Sequence, residues 1–184
     1  MVNGASKKLL GNHINQAGAH KTVEKGRLDI THYEKLSREQ LDEIEEEVRE
    51  MIWKDLNIER EVLEKSEAEQ RHGFQIYQGG APPGNEVRLI KIIENGEIID
   101  VEACGGTHLA KTGEAEEFVI TGSTKVQDGV IRLNYKAGEA AENYLNEITY
   151  RINDLSKKLG AEEPENHREA QRRLCNVYSV EPDH

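Results

Sequence analysis

A thiol and an imidazole lie four residues apart in the stretch Cys104-Gly105-Gly106-Thr107-His108. The two glycines between them allow the backbone to turn tightly, so that both side chains can face one ion. Thiolate sulfur and imidazole nitrogen are donors that Zn²⁺ takes in tetrahedral protein sites. A buried cysteine at a strand end followed by a turn would produce the same spacing. The pattern therefore indicates a candidate metal site whose meaning depends on the sequence around it.

Ordered motifs surround this stretch. They are Leu10-Gly11-Asn12-His13 with Gln16-Ala17-Gly18-Ala19, then Arg27-Leu28-Asp29-Ile30-Thr31-His32, then Gly73-Phe74 with Tyr77-Gln78-Gly79-Gly80 and Pro83-Gly84, and then Glu102-Ala103 directly before Cys104. In this order they resemble the editing domain of alanyl-tRNA synthetase and its free-standing relatives, most closely the archaeal branch, over residues 3 to about 160. The resemblance implies hydrolysis of mischarged Ser-tRNA(Ala) or Gly-tRNA(Ala), zinc as the cofactor, and the acceptor end of tRNA(Ala) as the partner.

The zinc ligands that the resemblance implies are present here only in part. The family uses an H-x-x-x-H pair followed by the cysteine and histidine of C-x-x-x-H. That pair lies just upstream of the stretch that begins at Asn3, where this chain has Met1 and Val2. Only Cys104 and His108 are therefore carried over as metal positions, and we expect an incomplete site, because catalytic zinc usually keeps three protein ligands.

Further polar residues are candidates for the editing pocket by the same resemblance. Gln16 is the first candidate for positioning the substrate, because its amide both donates and accepts hydrogen bonds. Thr22 could bind the hydroxyl group of serine; a structural role is the alternative for both residues. Arg27 and Thr107 are candidates for a tRNA contact or for supporting a metal ligand.

The histidines of the motifs have other interpretations. His13 and His20, seven residues apart, are candidates for replacement metal ligands, although the family's fold gives those positions other roles. His32 shares one face of a predicted strand with Leu28 and Ile30, which favours a histidine buried in the core.

The elements that must position these residues are predicted from capping signals and periodicity. Residues 3–11 are typical of a helix end and residues 27–31 of a strand. Ser37-Arg38-Glu39-Gln40 is a capping box, flanked by Leu36 and Leu41 as a hydrophobic staple. The apolar residues that follow recur at helical spacing, so residues 37–56 predict a long amphipathic helix.

Two hairpins are predicted from their turn residues. Strands at 87–93 and 98–101 flank Asn95-Gly96, and strands at 117–126 and 130–135 flank Asp128-Gly129. The first hairpin runs into Cys104 and places the thiol at a strand end. With a strand at 58–63, a short helix at 66–72 and a loop at 79–84, the predicted class is α+β, with antiparallel strands packed against the long helix.

A different periodicity begins at Ala137. Apolar residues recur in alternating steps of four and three, at Ala141, Leu145, Ile148, Ile152, Leu155 and Leu159. This spacing predicts a coiled-coil-like helix over 137–160, either docked on the domain or forming a homodimer contact. The predicted organisation is an editing-type domain at 1–136, truncated at its N-terminus, this helix, and a polar tail at 161–184. Cys175 in the tail is predicted to have no function.

Composition restricts the classes of function. The net charge is −11 and the mean hydropathy −0.75, and no apolar run approaches the ~20 residues that span a bilayer. Two distant cysteines and no signal peptide are typical of the reducing cytoplasm. Acidic residues concentrate between Glu39 and Glu69, whereas the segment from Lys7 to Lys35 is net basic, as an RNA contact requires.

Alternatives of another class stay open. One is a catalytically impaired fragment of alanyl-tRNA synthetase that acts as a tRNA-binding scaffold, and another is a metal-free dimerisation module built on the 137–160 helix. The missing H-x-x-x-H pair favours the first of these over hydrolysis for the isolated chain. No phosphate-binding loop or aminoacylation site is recognisable, so ligase activity could belong only to a longer parent.

Overall fold

Antiparallel pairing organises the strands of this chain into two sheets. The computed structural model describes residues 1–160, 162–166, 169–171 and 173, and Cys175 lies outside them. Within the described residues, the sheets are joined by helices in the order α1 (Val2–Leu10), β1 (Gln16–Lys21), β2 (Gly26–Thr31), α2 (Arg38–Trp53), β3 (Asn57–Glu64), α3 (Lys65–His72), β4 (Glu86–Glu94), β5 (Glu97–Ala103), β6 (Phe118–Gln127), β7 (Val130–Ala137) and α4 (Glu139–Leu159). Short 3₁₀ turns cover Phe74–Ile76 and Thr112–Ala115. The predicted α+β class is confirmed.

The first sheet has the order β1-β2-β7-β6 and packs against α2. The predicted capping box begins this helix, with Gln40 N donating to Ser37 Oγ at 3.2 Å and Ser37 N donating to Gln40 Oε1 at 2.9 Å. Buried side chains of α2 and of the sheet form one core, which includes Leu28, Ile30, Leu36, Leu41, Ile44, Val48, Ile120, Ile131 and Leu133. This core holds β2 in place, and β1 pairs with β2 beside the candidate site.

Strand β1 is an element that the sequence analysis missed. Its residues, Gln16-Ala17-Gly18-Ala19-His20-Lys21, contain no β-branched or aromatic side chain of the kind enriched in strands. Pairing with β2, from Gln16 opposite Ile30 to Lys21 opposite Gly26, extends this segment. Tertiary pairing has therefore overridden a weak local preference.

The second sheet has the order β3-β4-β5. The predicted β4–β5 hairpin is confirmed, and both Asn95 (φ 53°) and Gly96 (φ 85°) adopt the left-handed conformation that a type I′ turn requires. Val87 and Leu89 point to one face of this sheet, where they pack with Ala68 and Ile76. Because side chains alternate along a strand, Arg88 lies on the other face, toward the candidate site.

The C-terminal helix α4 docks on the chain itself through its first half. Leu145 packs with Ala141 and Val119, and Ile148 and Ile152 pack with Ala170. The last two positions of the predicted apolar repeat are exposed, Leu155 by 48% and Leu159 by 79%. The helix is confirmed, and its coiled-coil character stays a prediction. None of the helices among the described residues combines the length and the apolar character needed to cross a membrane.

Candidate functional site

The Cys104–His108 turn lies immediately after β5, as the hairpin signal predicted. Cys104 N donates to Arg88 O at 3.1 Å, which extends the β4–β5 pairing by one residue. A methyl group placed on Gly106 would lie 3.6 Å from Cys104 Sγ and 3.9 Å from His108 Cε1. The thiol and the imidazole therefore flank the same glycine, on one side of the turn.

Two arginines hold this turn by its backbone. Arg88 donates through Nε to Cys104 O at 2.9 Å and through Nη2 to Gly106 O. Arg60 donates through Nη2 to His108 O at 2.7 Å. A planar guanidinium group can bridge two carbonyl oxygens in this way because its donors are fixed in a fork.

The imidazole of His108 is oriented and kept neutral. Its Nδ1 donates to Gly106 O at 3.1 Å, so Nε2 is the ring nitrogen with a lone pair. Burial lowers the pKa of His108, the bond to Gly106 O acts in the opposite direction, and the charges of Lys21, Arg88 and Arg60 lower the pKa further. A neutral histidine whose other nitrogen binds a backbone carbonyl has the arrangement typical of a metal ligand.

Zinc fits the donors of this turn as half of a ligand set. Cys104 and His108 supply the sulfur and nitrogen that zinc prefers, on one side of one glycine. Within the part of the chain that the structure describes, no group of three or more histidine, cysteine or acidic side chains is suitably placed for a metal ion. Catalytic zinc usually takes three protein ligands, so a complete shell needs donors beyond these two.

A chain of hydrogen bonds links Gln16 to the strand that carries Cys104. Gln16 Nε2 donates to Gln78 Oε1 at 2.8 Å, and Gln78 Nε2 donates to Glu102 Oε2 at 3.3 Å. The other carboxylate oxygen of Glu102 accepts a bond from Asn3 Nδ2, in the first turn of α1. These hydrogen bonds therefore join four parts of the fold at one place: β1, the loop after the Phe74–Ile76 turn, β5 and α1.

Two close approaches allow these elements to meet. A Cβ at Gly4 would lie 2.7 Å from Asp100 Cγ, so a glycine is what lets α1 rest directly on β5. Gly79 has a φ of 76°, and a Cβ there would lie 3.1 Å from Ala17 O. A side chain at either position would push Asn3 or Gln78 away from its partner.

The environment of Glu102 is unusual for a carboxyl group. Burial, with the charge of Asp100 as the second cause, raises its pKa to about 7, while the bonds from Gln78 and Asn3 act in the opposite direction. Since shifted pKa values cluster at functional sites, and since Glu102 is hydrogen-bonded to Gln78 and Asn3, Glu102 joins the candidate residues.

Three other predicted residues, Thr22, Arg27 and Thr107, take no part in these hydrogen bonds. Thr22 closes the β1–β2 turn, where its hydroxyl donates to Lys25 O at 3.1 Å. Arg27 is exposed on β2, opposite His20 on β1, and Thr107 is exposed on the metal turn. Their proposed roles stay predictions.

The histidines adopt two different environments. His32 is 8% exposed on the core side of β2, and its Nδ1 lies 2.8 Å from His13 Nε2. His13 is thus engaged with another histidine, whereas His20 is exposed on β1. His32 has the buried and partnered position expected of a core histidine.

Sequence reasoning missed Gln78, Glu102 and Arg88 as functional candidates. The first two lie inside the motifs Tyr77-Gln78-Gly79-Gly80 and Glu102-Ala103-Cys104, so their place in those motifs was the available signal. Arg88 has no such signal, because its role depends on the register that puts it beside Cys104.

Comparison with known proteins finds a family match over the central part of this chain. Residues 87–134, which contain the β4–β5 hairpin and the Cys104–His108 turn, match the family described as threonyl and alanyl tRNA synthetase second additional domain. The site is therefore built on a segment characteristic of that class.

The relatives are more specific. The chain is 45% identical over 137 residues to an alanine–tRNA ligase of Methanopyrus kandleri, covering 74% of this chain and 14% of the relative. It is 42% identical over 160 residues to that of Methanococcus maripaludis, covering 87% and 18%. Against the enzyme of Aeropyrum pernix the identity is 43% over 148 residues, covering 80% and 16%. The resemblance to alanyl-tRNA synthetase, and to its archaeal branch, is confirmed, and the chain spans less than a fifth of the length of these relatives.

Proposed function

We propose that this domain is an editing hydrolase, which cleaves the ester between a wrongly attached serine or glycine and the terminal ribose of tRNA(Ala). An alanine-activating site discriminates poorly against an amino acid that merely adds a hydroxyl group, on the order of 10²-fold, so a second hydrolytic site is needed. In the reaction a water oxygen bonds to the ester carbonyl carbon and the bond to the ribose oxygen breaks. The ribose regains its hydroxyl proton and the free amino acid leaves.

The observation that carries the proposal is the meeting of Gln16 with the strand that ends in Cys104. Gln16 lies on the first sheet and Glu102 on the second, and the hydrogen bonds through Gln78 link Gln16 to the strand that leads into Cys104. An amide that both donates and accepts hydrogen bonds can hold a polar aminoacyl group. The relatives, named alanine–tRNA ligase, make mischarged tRNA(Ala) the ester in need of such a site.

Zinc is the proposed cofactor, held by Cys104 and His108 together with donors supplied by an H-x-x-x-H pair. When bound, zinc would supply Lewis-acid polarisation and orientation of the substrate. The protein's own contribution is to hold its ligands still: Arg88 and Arg60 fix the turn, and Gly106 O fixes the His108 ring.

The acceptor end of tRNA(Ala) is the proposed partner. The chain carries a net charge of −11. The charged side chains that act on the pKa of His108 are nevertheless basic, namely Lys21, Arg60 and Arg88. A local basic group beside the candidate site suits the phosphates of an RNA terminus. We place the 3′-terminal nucleotides there, with the aminoacyl ester directed toward Gln16.

Release of serine from Ser-tRNA(Ala) tests the proposal, with Ala-tRNA(Ala) as the substrate that must be spared. The assay uses the 184-residue chain and the same chain with an H-x-x-x-H pair placed ahead of Asn3. We expect serine-selective release, with Gln16→Ala and Cys104→Ala each lowering the rate about 10²-fold.

Gln127→Ala is the matched control, because Gln127 is an exposed glutamine at the end of β6. It should leave the rate unchanged. If neither form of the chain releases serine while both bind tRNA(Ala), the domain is a tRNA-binding scaffold and the proposal is wrong.

A further inference from the structure

We propose that Gln78 and Glu102 are positioning residues that set the direction of the Gln16 amide, an inference that rests on the proposed editing function. Glu102 Oε2 accepts from Gln78 Nε2 at 3.3 Å, and Gln78 Oε1 accepts from Gln16 Nε2 at 2.8 Å. Glu102, Gln78 and Gln16 therefore form a row of hydrogen-bonded side chains from β5 to β1, which we call the file.

The carboxylate imposes a direction on this file. Both oxygens of Glu102 accept hydrogen bonds, one from Asn3 Nδ2 and one from Gln78 Nε2, so the Gln78 side chain turns its NH₂ group toward Glu102. The carbonyl oxygen of Gln78 then faces Gln16, which must in turn present its own NH₂ group. The Oε1 atom of Gln16 is left on the opposite side of its amide, as an acceptor of fixed orientation.

The start of the file is itself anchored. Glu102 is half-buried, and its second oxygen accepts from Asn3 Nδ2 of α1, so both carboxylate oxygens are engaged. Gly4 lets α1 approach β5, and Gly79 lets the Gln78 loop approach β1. Reversal of the Gln78 amide would break its bonds to Glu102 and Gln16, and reversal of the Gln16 amide would break its bond to Gln78.

In our proposal the fixed acceptor at Gln16 binds the α-ammonium group of the substrate. The aminoacyl ester carries an α-ammonium group, a donor shared by serine, glycine and alanine. The file therefore orients the substrate, and discrimination among the three amino acids is left to other contacts. In kinetic terms, loss of the file lowers kcat and leaves the preference for serine over alanine unchanged.

A double-mutant cycle on serine release tests whether Glu102 acts through Gln16. Glu102→Ala and Gln78→Ala should each lower kcat about 10-fold or more, as expected when a positioned group is displaced by about 1 Å. Introduced into the Gln16→Ala chain, either change should cause almost no further loss. Losses that multiply would show independent roles and overturn the proposal.

Side-chain amide signals of ¹⁵N-labelled glutamine provide a readout without catalysis. Glu102→Ala should shift the NH₂ signals of both Gln78 and Gln16, and Gln78→Ala should shift that of Gln16. Glu97→Ala, at the exposed start of β5, is the matched control and should shift neither. An unmoved Gln16 signal in the Glu102→Ala protein would refute the file.

The two readouts separate this inference from the proposed function. Coupled amide signals in a chain that releases no serine would support the file and contradict hydrolysis. Serine release with multiplying losses would support hydrolysis and contradict the file. If Glu102→Ala fails to fold, as judged by its melting temperature, Gln78→Ala interrupts the file one residue later and answers the same question.

Discussion

A pair of histidines marks the junction between the α1–β1 loop and the end of β2. His13 Nε2 and His32 Nδ1 lie 2.8 Å apart, and both rings contact Tyr33, with centroids 5.2 and 5.0 Å away. One nitrogen of the pair must donate and the other accept, so at most one ring can be protonated without losing this bond. The junction therefore requires at least one neutral imidazole.

Stability should consequently depend on pH through His32. Burial lowers the pKa of His32, and the neighbouring His13 lowers it further, against the opposing charge of Glu34. In the unfolded chain His32 takes up a proton near pH 6.5, whereas in the folded chain it resists protonation. The free energy of unfolding should therefore be highest above about pH 6.5 and decrease as the pH falls below it. Urea unfolding between pH 5 and 8 should show the decrease, and His32→Gln should flatten it.

The exposed His20 on β1 offers the control for this measurement. His20→Gln should keep the acid-side decrease seen in the unsubstituted protein. An unchanged slope in His32→Gln, or an equal flattening in both variants, would assign the pH dependence to other groups.

Elements whose signals are local were predicted from the sequence. The Asn95-Gly96 and Asp128-Gly129 turns fix two hairpins because their residues suit left-handed conformations, and the Ser37 capping box begins α2 where expected. The Cys104–His108 turn followed from the first hairpin. Hairpin signals thus placed the Cys104–His108 turn directly after β5, and its role in metal binding stays a prediction.

What could not be predicted depends on contacts between distant residues. The Gln16–Gln78 bond joins residues 62 apart in sequence, and the Gln78–Glu102 bond joins residues 24 apart. Neither has a local signal, since a glutamine's partner is decided by which loop passes over it. Strand β1 was missed for a related reason, because its pairing with β2 supplies what its composition lacks.

The apolar residues of helix α4 differ in burial. Leu145 is 6% exposed, whereas Leu159 is 79% exposed. We expect Leu145→Ala to lower the free energy of unfolding by about 2–5 kcal/mol, because it leaves a cavity against Val119. Leu159→Ala, the matched control, should change it by less than about 0.5 kcal/mol. Equal effects in urea unfolding would contradict this docking.

The exposed end of the same helix tests the predicted homodimer. Leu155→Asp together with Leu159→Asp alters only exposed positions. If copies of the chain associate through this end, sedimentation should show a lower mass for the variant while its melting temperature changes little. A sedimentation profile identical to that of the unsubstituted chain would remove this end of α4 as a contact.

At the scale of the whole molecule, the proposed metal shell would draw its ligands from distant parts of the sequence. Asn3 of α1 contacts Glu102, two residues before Cys104, so the start of α1 lies beside the strand end that carries the thiol. An H-x-x-x-H pair ahead of Asn3 would place two imidazoles on one helical face. We expect this extension to raise zinc retention and the rate of serine release, while alanine release stays low.

Metal content after dialysis against a mild chelator measures the first effect. The 184-residue chain should retain little zinc, and the extended chain about one equivalent, which Cys104→Ala should abolish. Tight retention by the shorter chain would show that other donors complete its shell. Restored zinc without a faster release of serine would show that the metal does not limit the reaction.

The division of the site between two sheets has a mechanical consequence. The first sheet shares a core with α2, which Ile99 of β5 also contacts, and the second sheet has a cluster around Ala68 and Ile76. The file from Gln16 to Glu102 crosses between the two sheets. A small slip of one sheet against the other would separate these partners while each sheet stayed intact. Heating should therefore separate Gln16 from Glu102 at a lower temperature than it melts the helices, so that loss of the proposed activity would be the earliest sign of damage to this domain.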